Sequence, residues 1–189
     1  MCCLLKNLAI LASGSGTNAE KIMEYFQQSS KARVVLVASN KKDAYVLERA
    51  KKYNVPGIVF SKAEMENGRL EESLRKHRTD IIILAGFLLQ VPGRLIKAFP
   101  DKIINIHPAL LPKYGGKGMY GRHVHQAVKD SGDSETGITI HLVNENYDEG
   151  KIIFQAAVSI EKGDSPEQIA QKVHALEHKY YPNVIESLI

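Results

Sequence analysis

Short, almost wholly apolar runs alternate along this chain with segments whose apolar residues recur at helical spacing. That alternation limits the fold more than any other feature. Leu8 to Ala12 reads as a strand, followed by a helix from Asn18 to Gln28. Arg33 to Ser39, with Val34-Val35-Leu36-Val37 at its centre, is a second strand. Asp43 to Tyr53 has Ala44, Leu47 and Ala50 on one helical face. Gly57 to Phe60 is a short strand and Glu64 to His77 a charged helix. Asp80 to Ala85, containing Ile81-Ile82-Ile83-Leu84, and Lys102 to Ile106 complete the series of strands. A strand apolar on both faces has to be covered on both, which calls for a parallel sheet between helical layers joined by crossovers. Beyond Gly137 the pattern changes. Ile138 to Val143 and Lys151 to Ile160 are long strands joined by a polar loop with no helix between them, which predicts an antiparallel addition. Ser165, Pro166 and Gln168 form a capping box with proline at the first helical position, opening a last helix that runs to about Ser187. The expected architecture is one α/β domain over residues 1–189: a Rossmann-like, mostly parallel twisted sheet, helices on both faces, and antiparallel strands at the C-terminal end.

Composition narrows the partners. Lysine and arginine exceed aspartate and glutamate by 4 in 189 residues, are scattered, and are not interleaved with aromatic residues; there is no tryptophan. Nucleic acid is therefore not the expected partner. No apolar stretch reaches membrane-spanning length, and Leu8 to Ala12 is one strand long, too short for a signal peptide core. Cys2 and Cys3 are adjacent and alone, so neither a disulfide framework nor a cysteine zinc site can be built; the expected setting is the cytoplasm.

Strand one ends in Ser13-Gly14-Ser15-Gly16-Thr17-Asn18 and a helix follows. Glycines let the backbone approach an anion, and the helix N-terminus offers free N–H groups and partial positive charge. The segment 14–19 also fits the loose dinucleotide pattern ending in alanine. Strand two, however, ends in Ser39-Asn40 and lacks the acidic residue that would hold a nicotinamide ribose. A tight strand-to-helix turn and a phosphate cradle explain this loop equally well.

Asn105 and His107 close the strand that begins at Lys102. Alternation puts both on one face, at the carboxyl edge where open α/β sheets bind ligands. An amide and an imidazole there suit a carbonyl that develops negative charge. A strand-end histidine with a local hydrogen bond is the bland alternative. It is weakened by the proline- and glycine-punctuated loop that follows, Leu110-Leu111-Pro112-Lys113-Tyr114 and then Gly115-Gly116-Lys117-Gly118. His123 and His125 lack a ligand pattern, so no metal site is expected. Asn144 to Gly150 has the composition of a hairpin turn, and spacing alone favours that reading of Asp148. The functional alternative folds Asp148 back onto His107, where a carboxylate favours imidazolium.

Taken in order, these segments resemble the folate-dependent glycinamide ribonucleotide transformylases of purine synthesis. The resemblance runs from Leu8 to Leu188 and includes the loop 13–18, Leu84-Ala85-Gly86-Phe87, Asn105-Ile106-His107-Pro108, Gly137 to His141, Tyr147-Asp148-Glu149-Gly150 and Glu177-His178. It implies Asn105, His107 and Asp148 as the catalytic trio. It places the ribonucleotide, with its phosphate, on Gly16, Thr17, Asn18 and Glu177. It places the folate on Leu88, Leu89, Gln90 and Val91, on Asn105, and on Asn144, Tyr147 and Asp148. Leu88-Leu89-Gln90 stands where methionine-arginine is common, and Ala109 where serine is frequent.

The implied reaction is transfer of the formyl group of 10-formyltetrahydrofolate to the glycine amine of 5'-phosphoribosylglycinamide, with small-molecule partners only and a monomer or homodimer. Asn105 and a protonated His107 would hydrogen-bond the formyl oxygen, with Asp148 holding His107 charged. Rival readings are another folate-dependent formyltransferase, a formyltetrahydrofolate hydrolase, and a nucleotide-binding α/β module without chemistry. A tRNA-directed formyltransferase is expected to extend further at its C-terminus than this chain, and the hydrolases to carry an added N-terminal domain.

Overall fold

The computed structural model describes residues 5–189; Cys2 and Cys3 lie outside the described residues. Seven strands form one sheet: β1 (Lys6–Ala12), β2 (Ala32–Ser39), β3 (Gly57–Val59), β4 (Ile81–Leu84), β5 (Ile103–His107), β6 (Glu135–Leu142) and β7 (Ile152–Ser159). Their spatial order is β3-β2-β1-β4-β5-β6-β7. The first five are mutually parallel, whereas β6 runs antiparallel to β5 and β7 antiparallel to β6. This is the mostly parallel sheet with an antiparallel end that the apolar pattern predicts.

The alternation within each strand explains the two cores. In β1, Leu8, Ile10 and Ala12 enter one apolar cluster, and Ala9 and Leu11 the other. In β4, Ile81 and Ile83 face the first, Ile82 and Leu84 the second. The first cluster is covered by α1 (Thr17–Phe26), α2 (Val46–Lys52), α6 (Arg122–Ser131) and α7 (Pro166–Ser187); the second by α3 (Lys62–Glu66), α4 (Arg69–Lys76) and α5 (Gly93–Ala98). Each fully buried leucine or isoleucine on these faces contributes about 1.5–3 kcal/mol of apolar transfer. Tyr181, on α7 and completely buried, shares its hydroxyl between the carbonyls of Leu84 and Ile104, at 3.0 and 3.1 Å. It thereby ties the long helix to the neighbouring strands β4 and β5.

The predicted capping box of α7 is present: Ser165 accepts from Gln168 N–H at 3.2 Å, and Gln168 accepts from Ser165 N–H at 2.7 Å. The helix expected from Glu64 to His77 is divided. Gly68 has φ +99°, a conformation that ends α3 and restarts the chain as α4, which residues with a side chain rarely adopt. Helices α5 and α6 went unanticipated; α5 has only six residues, and α6 has a single strongly apolar pair, Val124 and Val128. Among the described residues no helix is long and apolar enough to cross a membrane.

The topology fixes where a ligand can bind. From β1 the chain moves outward to β2 and β3, then returns to β4 on the other side of β1. Between the carboxyl ends of β1 and β4 the two flanking connections diverge and leave a crevice.

Candidate active site

A cavity of about 570 Å³ occupies that crevice. Its walls are the glycine loop after β1, residues 84–91 after β4, residues 105–108 closing β5, the loop 116–121, part of 143–148, and His125, His141, His174 and Glu177. Every residue expected from the sequence lines it: Asn105, His107 and Asp148; Gly16, Thr17, Asn18 and Glu177; Leu88, Leu89, Gln90 and Val91; Asn144 and Tyr147. The volume is in the range of small-molecule sites.

The central cluster is built by strand register. Asn105 sits opposite His141 across the β5–β6 ladder, and His107 opposite Thr139. The Thr139 hydroxyl donates to Ala109 O at 2.7 Å and accepts from Leu111 N–H at 2.9 Å, so it anchors the chain just after Pro108. Asp148 reaches the cluster because its backbone is left-handed, φ +56°, a conformation aspartate tolerates better than most residues. Its carboxylate accepts from Gly116 N–H at 2.9 Å. It lies 3.5 Å from His107 Nδ1 and 3.6 Å from His141 Nε2. The folded-back arrangement, rather than a plain hairpin turn, is therefore the one the chain adopts.

Tautomers follow from the partners. His107 Nε2 is 2.7 Å from Tyr114 O, a carbonyl that can only accept, so Nε2 carries a proton. His141 Nδ1 is 2.8 Å from Leu142 O and is protonated for the same reason. That leaves His141 Nε2 to accept from the Asn105 amide at 3.1 Å.

Burial holds the His107 pKa below the ordinary imidazole value; the Asp148 charge and the Tyr114 carbonyl oppose this without overcoming it. Burial thus works against the expectation that Asp148 keeps His107 charged at neutral pH: desolvation of a ring only 3% exposed outweighs a carboxylate at 3.5 Å. For Asp148, burial raises the pKa, but His141, His107 and the Gly116 N–H together bring it below the usual carboxylate range.

At the other end of the cavity, Glu177 is 4% exposed. One of its oxygens accepts from Asn18 at 2.9 Å and pairs with His174 Nδ1 at 2.8 Å. The bond to Glu177 raises the His174 pKa. Along the wall formed by residues 88–91, Gln90 donates to Glu145 O at 2.9 Å and clasps the 143–148 segment. Leu89 packs on the second apolar cluster. Ser13 accepts from Leu88 N–H at 2.9 Å and donates to Asn40 at 2.6 Å, which joins the loops after β1 and β4. Among the described residues no three His, Cys, Asp or Glu side chains converge as a metal ion would require.

The sequence reading named His125 only in setting aside a metal site and His141 only within the resemblance, and gave no site role to either or to His174. His141 is placed directly opposite Asn105 by the β5–β6 register, which no single strand's sequence fixes. For His174 a signal was available: the spacing of three residues to Glu177 on one helix.

A doubly wound sheet with an amide, an imidazole and a carboxylate at its switch point, and a glycine loop in the same cavity, defines an α/β protein equipped to act on a carbonyl next to an anion. The chain belongs to the formyl transferase family, whose sequence profile matches residues 6–185. It is 45% identical to a chloroplastic phosphoribosylglycinamide formyltransferase of Arabidopsis thaliana, over 97% of this chain and 65% of that protein. It is 38% identical to the phosphoribosylglycinamide formyltransferase of Bacillus subtilis, over 98% of this chain and 95% of the relative. The chain thus spans 65% and 61% of two plant relatives and nearly all of the bacterial one. The crystal structure of glycinamide ribonucleotide transformylase 1 from Geobacillus kaustophilus superposes with a TM-score of 0.89 at 36% identity, covering 97% of this chain and 98% of that one.

Proposed function

We propose that this protein transfers the formyl group of 10-formyltetrahydrofolate to the glycine amine of 5'-phosphoribosylglycinamide, a step of purine (IMP) biosynthesis, and does so in the cytoplasm. The observation that carries the reading is the single cavity joining the Asn105–His107–Asp148 cluster to the glycine loop and Glu177. One chain supplies the whole lining, so the reading needs no partner subunit and suits a monomer or a homodimer. Residues 1–189 are read as one formyltransferase domain.

The folate supplies an activated formyl group on a nitrogen leaving group. Its proposed wall is Leu88, Leu89, Gln90 and Val91 facing Asn144, Tyr147 and Asp148, a mixture of apolar faces and hydrogen-bonding groups that fits a flat heteroaromatic ring. The ribonucleotide is assigned to Gly16, Thr17, Asn18 and Glu177: backbone N–H groups for the phosphate, a carboxylate for hydroxyls.

Asn105 has two amide hydrogens. His141 takes one, which fixes the plane of the amide and leaves the other for the formyl oxygen. His107 Nδ1 is the open position of its ring. Asp148 is close enough to favour a proton there and, at 3.5 Å, too far to engage it in a good hydrogen bond. A proton on Nδ1 is therefore free to face a growing oxyanion. Negative charge on that oxygen adds to the pull of Asp148, so His107 takes up, through water, the proton that the attacking amine loses as the charge appears, and gives it on to the leaving nitrogen. Asp148 then serves as the stage for proton passage from the attacking amine to the leaving nitrogen. One such donor typically contributes about 10²–10³ in turnover, and holding two substrates together about 7–11 kcal/mol.

The test is to mix the protein with 10-formyltetrahydrofolate, with and without phosphoribosylglycinamide, and follow cofactor loss. Loss that requires the amine supports the proposal. Loss without it indicates a hydrolase, and no loss in either case a binding module.

A further inference from the structure

The glycine loop holds its shape through a helix that never touches the cavity. No residue of α2 is in the cavity lining, yet two of its groups grip successive carbonyls of the loop. Val46 N–H donates to Gly14 O at 3.2 Å, and Arg49 Nε donates to Ser15 O at 2.8 Å. In a trans peptide the C=O and the next N–H point in opposite directions. Drawing the Gly14 and Ser15 carbonyls toward α2 therefore aims the N–H groups of Ser15 and Gly16 away from it. The N–H groups of residues 15–19 donate to nothing among the described residues. Without the grip, either peptide could turn over and present a carbonyl oxygen, which an anion would be repelled by.

Arg49 is itself held. It forms an ion pair with Glu20, stacks on Tyr45 with 5.0 Å from guanidinium to ring centre, and is only 17% exposed. The loop also fits α2 closely: Gly16 is left-handed at φ +74°, and a Cβ there would overlap the Val46 side chain. Lysine could replace the charge, but not a fixed Nε donor with a second face for Glu20.

We infer that Arg49 is a positioning residue for the phosphate end of the site: by holding the Ser15 carbonyl outward it sets the loop's N–H groups toward the anion. This rests on the assignment of that loop to the ribonucleotide phosphate. The experiment compares phosphoribosylglycinamide with its dephosphorylated ribonucleoside as formyl acceptors, and uses inorganic phosphate as a competing probe, in wild type, Arg49→Met, Arg49→Lys and Glu20→Gln. For Arg49→Met the expected result is a KM for the ribonucleotide raised about tenfold or more at nearly unchanged kcat, weakened competition by phosphate, and an unchanged kcat/KM for the ribonucleoside. Arg49→Lys shows the same selective loss to a smaller degree and serves if the methionine variant does not fold. Glu20→Gln stays within about threefold of wild type, because Arg49 keeps its bond to Ser15. Equal losses on both acceptors, no loss on either, or a Glu20→Gln defect as large as that of Arg49→Met overturns the inference. If wild type treats the two acceptors alike and phosphate does not compete, the loop's assignment to phosphate fails first and takes the inference with it.

Discussion

Replacing Asp148 by asparagine changes one charge and little else. Asparagine adopts the left-handed backbone that Asp148 shows at φ +56°, and its amide oxygen can still accept the Gly116 N–H now 2.9 Å away. What disappears is the attraction between a carboxylate and a proton on His107 Nδ1, 3.5 Å distant. At an effective dielectric constant of about 20 that attraction is roughly 5 kcal/mol before any compensation, which sets a ceiling. An opposite charge at this range typically favours the charged form by about 1.4–4 kcal/mol, or roughly 10- to 1000-fold in the population of imidazolium. Burial already lowers the His107 pKa, and the Tyr114 carbonyl and Glu177, which also favour the charged form, do so less than Asp148. The expected result is a kcat lower by about 10²–10³ with KM for both substrates changed only a few-fold, measured by steady-state formyl transfer at saturating folate. Full activity in Asp148→Asn would refute the role given to the carboxylate. A loss confined to KM would show that Asp148 holds substrate instead of charge.

Other consequences follow from the same geometry. His107, His125 and His178 have pKa values lowered chiefly by burial, while His174 is raised by Glu177. The three lowered groups bind fewer protons folded than unfolded, so they cost stability as pH falls below about 6.5; His174 works in the opposite sense. Denaturant unfolding is therefore expected to show lower stability at pH 5.5 than at pH 7.5, and Glu177→Gln should bring the His174 titration seen by NMR downward. Tyr181→Phe leaves the two strand carbonyls without their shared donor and should lower the unfolding free energy by about 1–3 kcal/mol with kcat little changed. Gln90→Ala releases the clasp on Glu145 O and should raise the folate KM by up to about tenfold while leaving the KM for the amine substrate alone.

The sheet was legible because a strand buried on both faces has to be apolar at every position, as in Ile81 to Leu84. The cluster at the end of β5 was legible for a related reason: Asn105 and His107 are polar residues breaking such a run at its carboxyl edge. The split at Gly68 was not, since nothing in helical periodicity says that one glycine takes φ +99°. His141 lay beyond a single-strand reading because its place opposite Asn105 depends on the β5–β6 register, a long-range pairing. The charge state of His107 needed the structure as well. Sequence supplies the carboxylate that attracts a proton, but burial, which repels it more strongly, is a property of the packed ring.

The central claim is that the Asn105–His107–Asp148 cluster carries a formyl group onto an amine bound at the glycine loop. Its most direct test uses folate labelled with ¹³C in the formyl group and follows the label by mass spectrometry in phosphoribosylglycinamide, with wild type and with Asn105→Ala and His107→Ala. The expected result is label on the glycine nitrogen with wild type, and a rate reduced by about 10²-fold or more in each variant. Label released as free formate, or label transferred equally well by both variants, would contradict it.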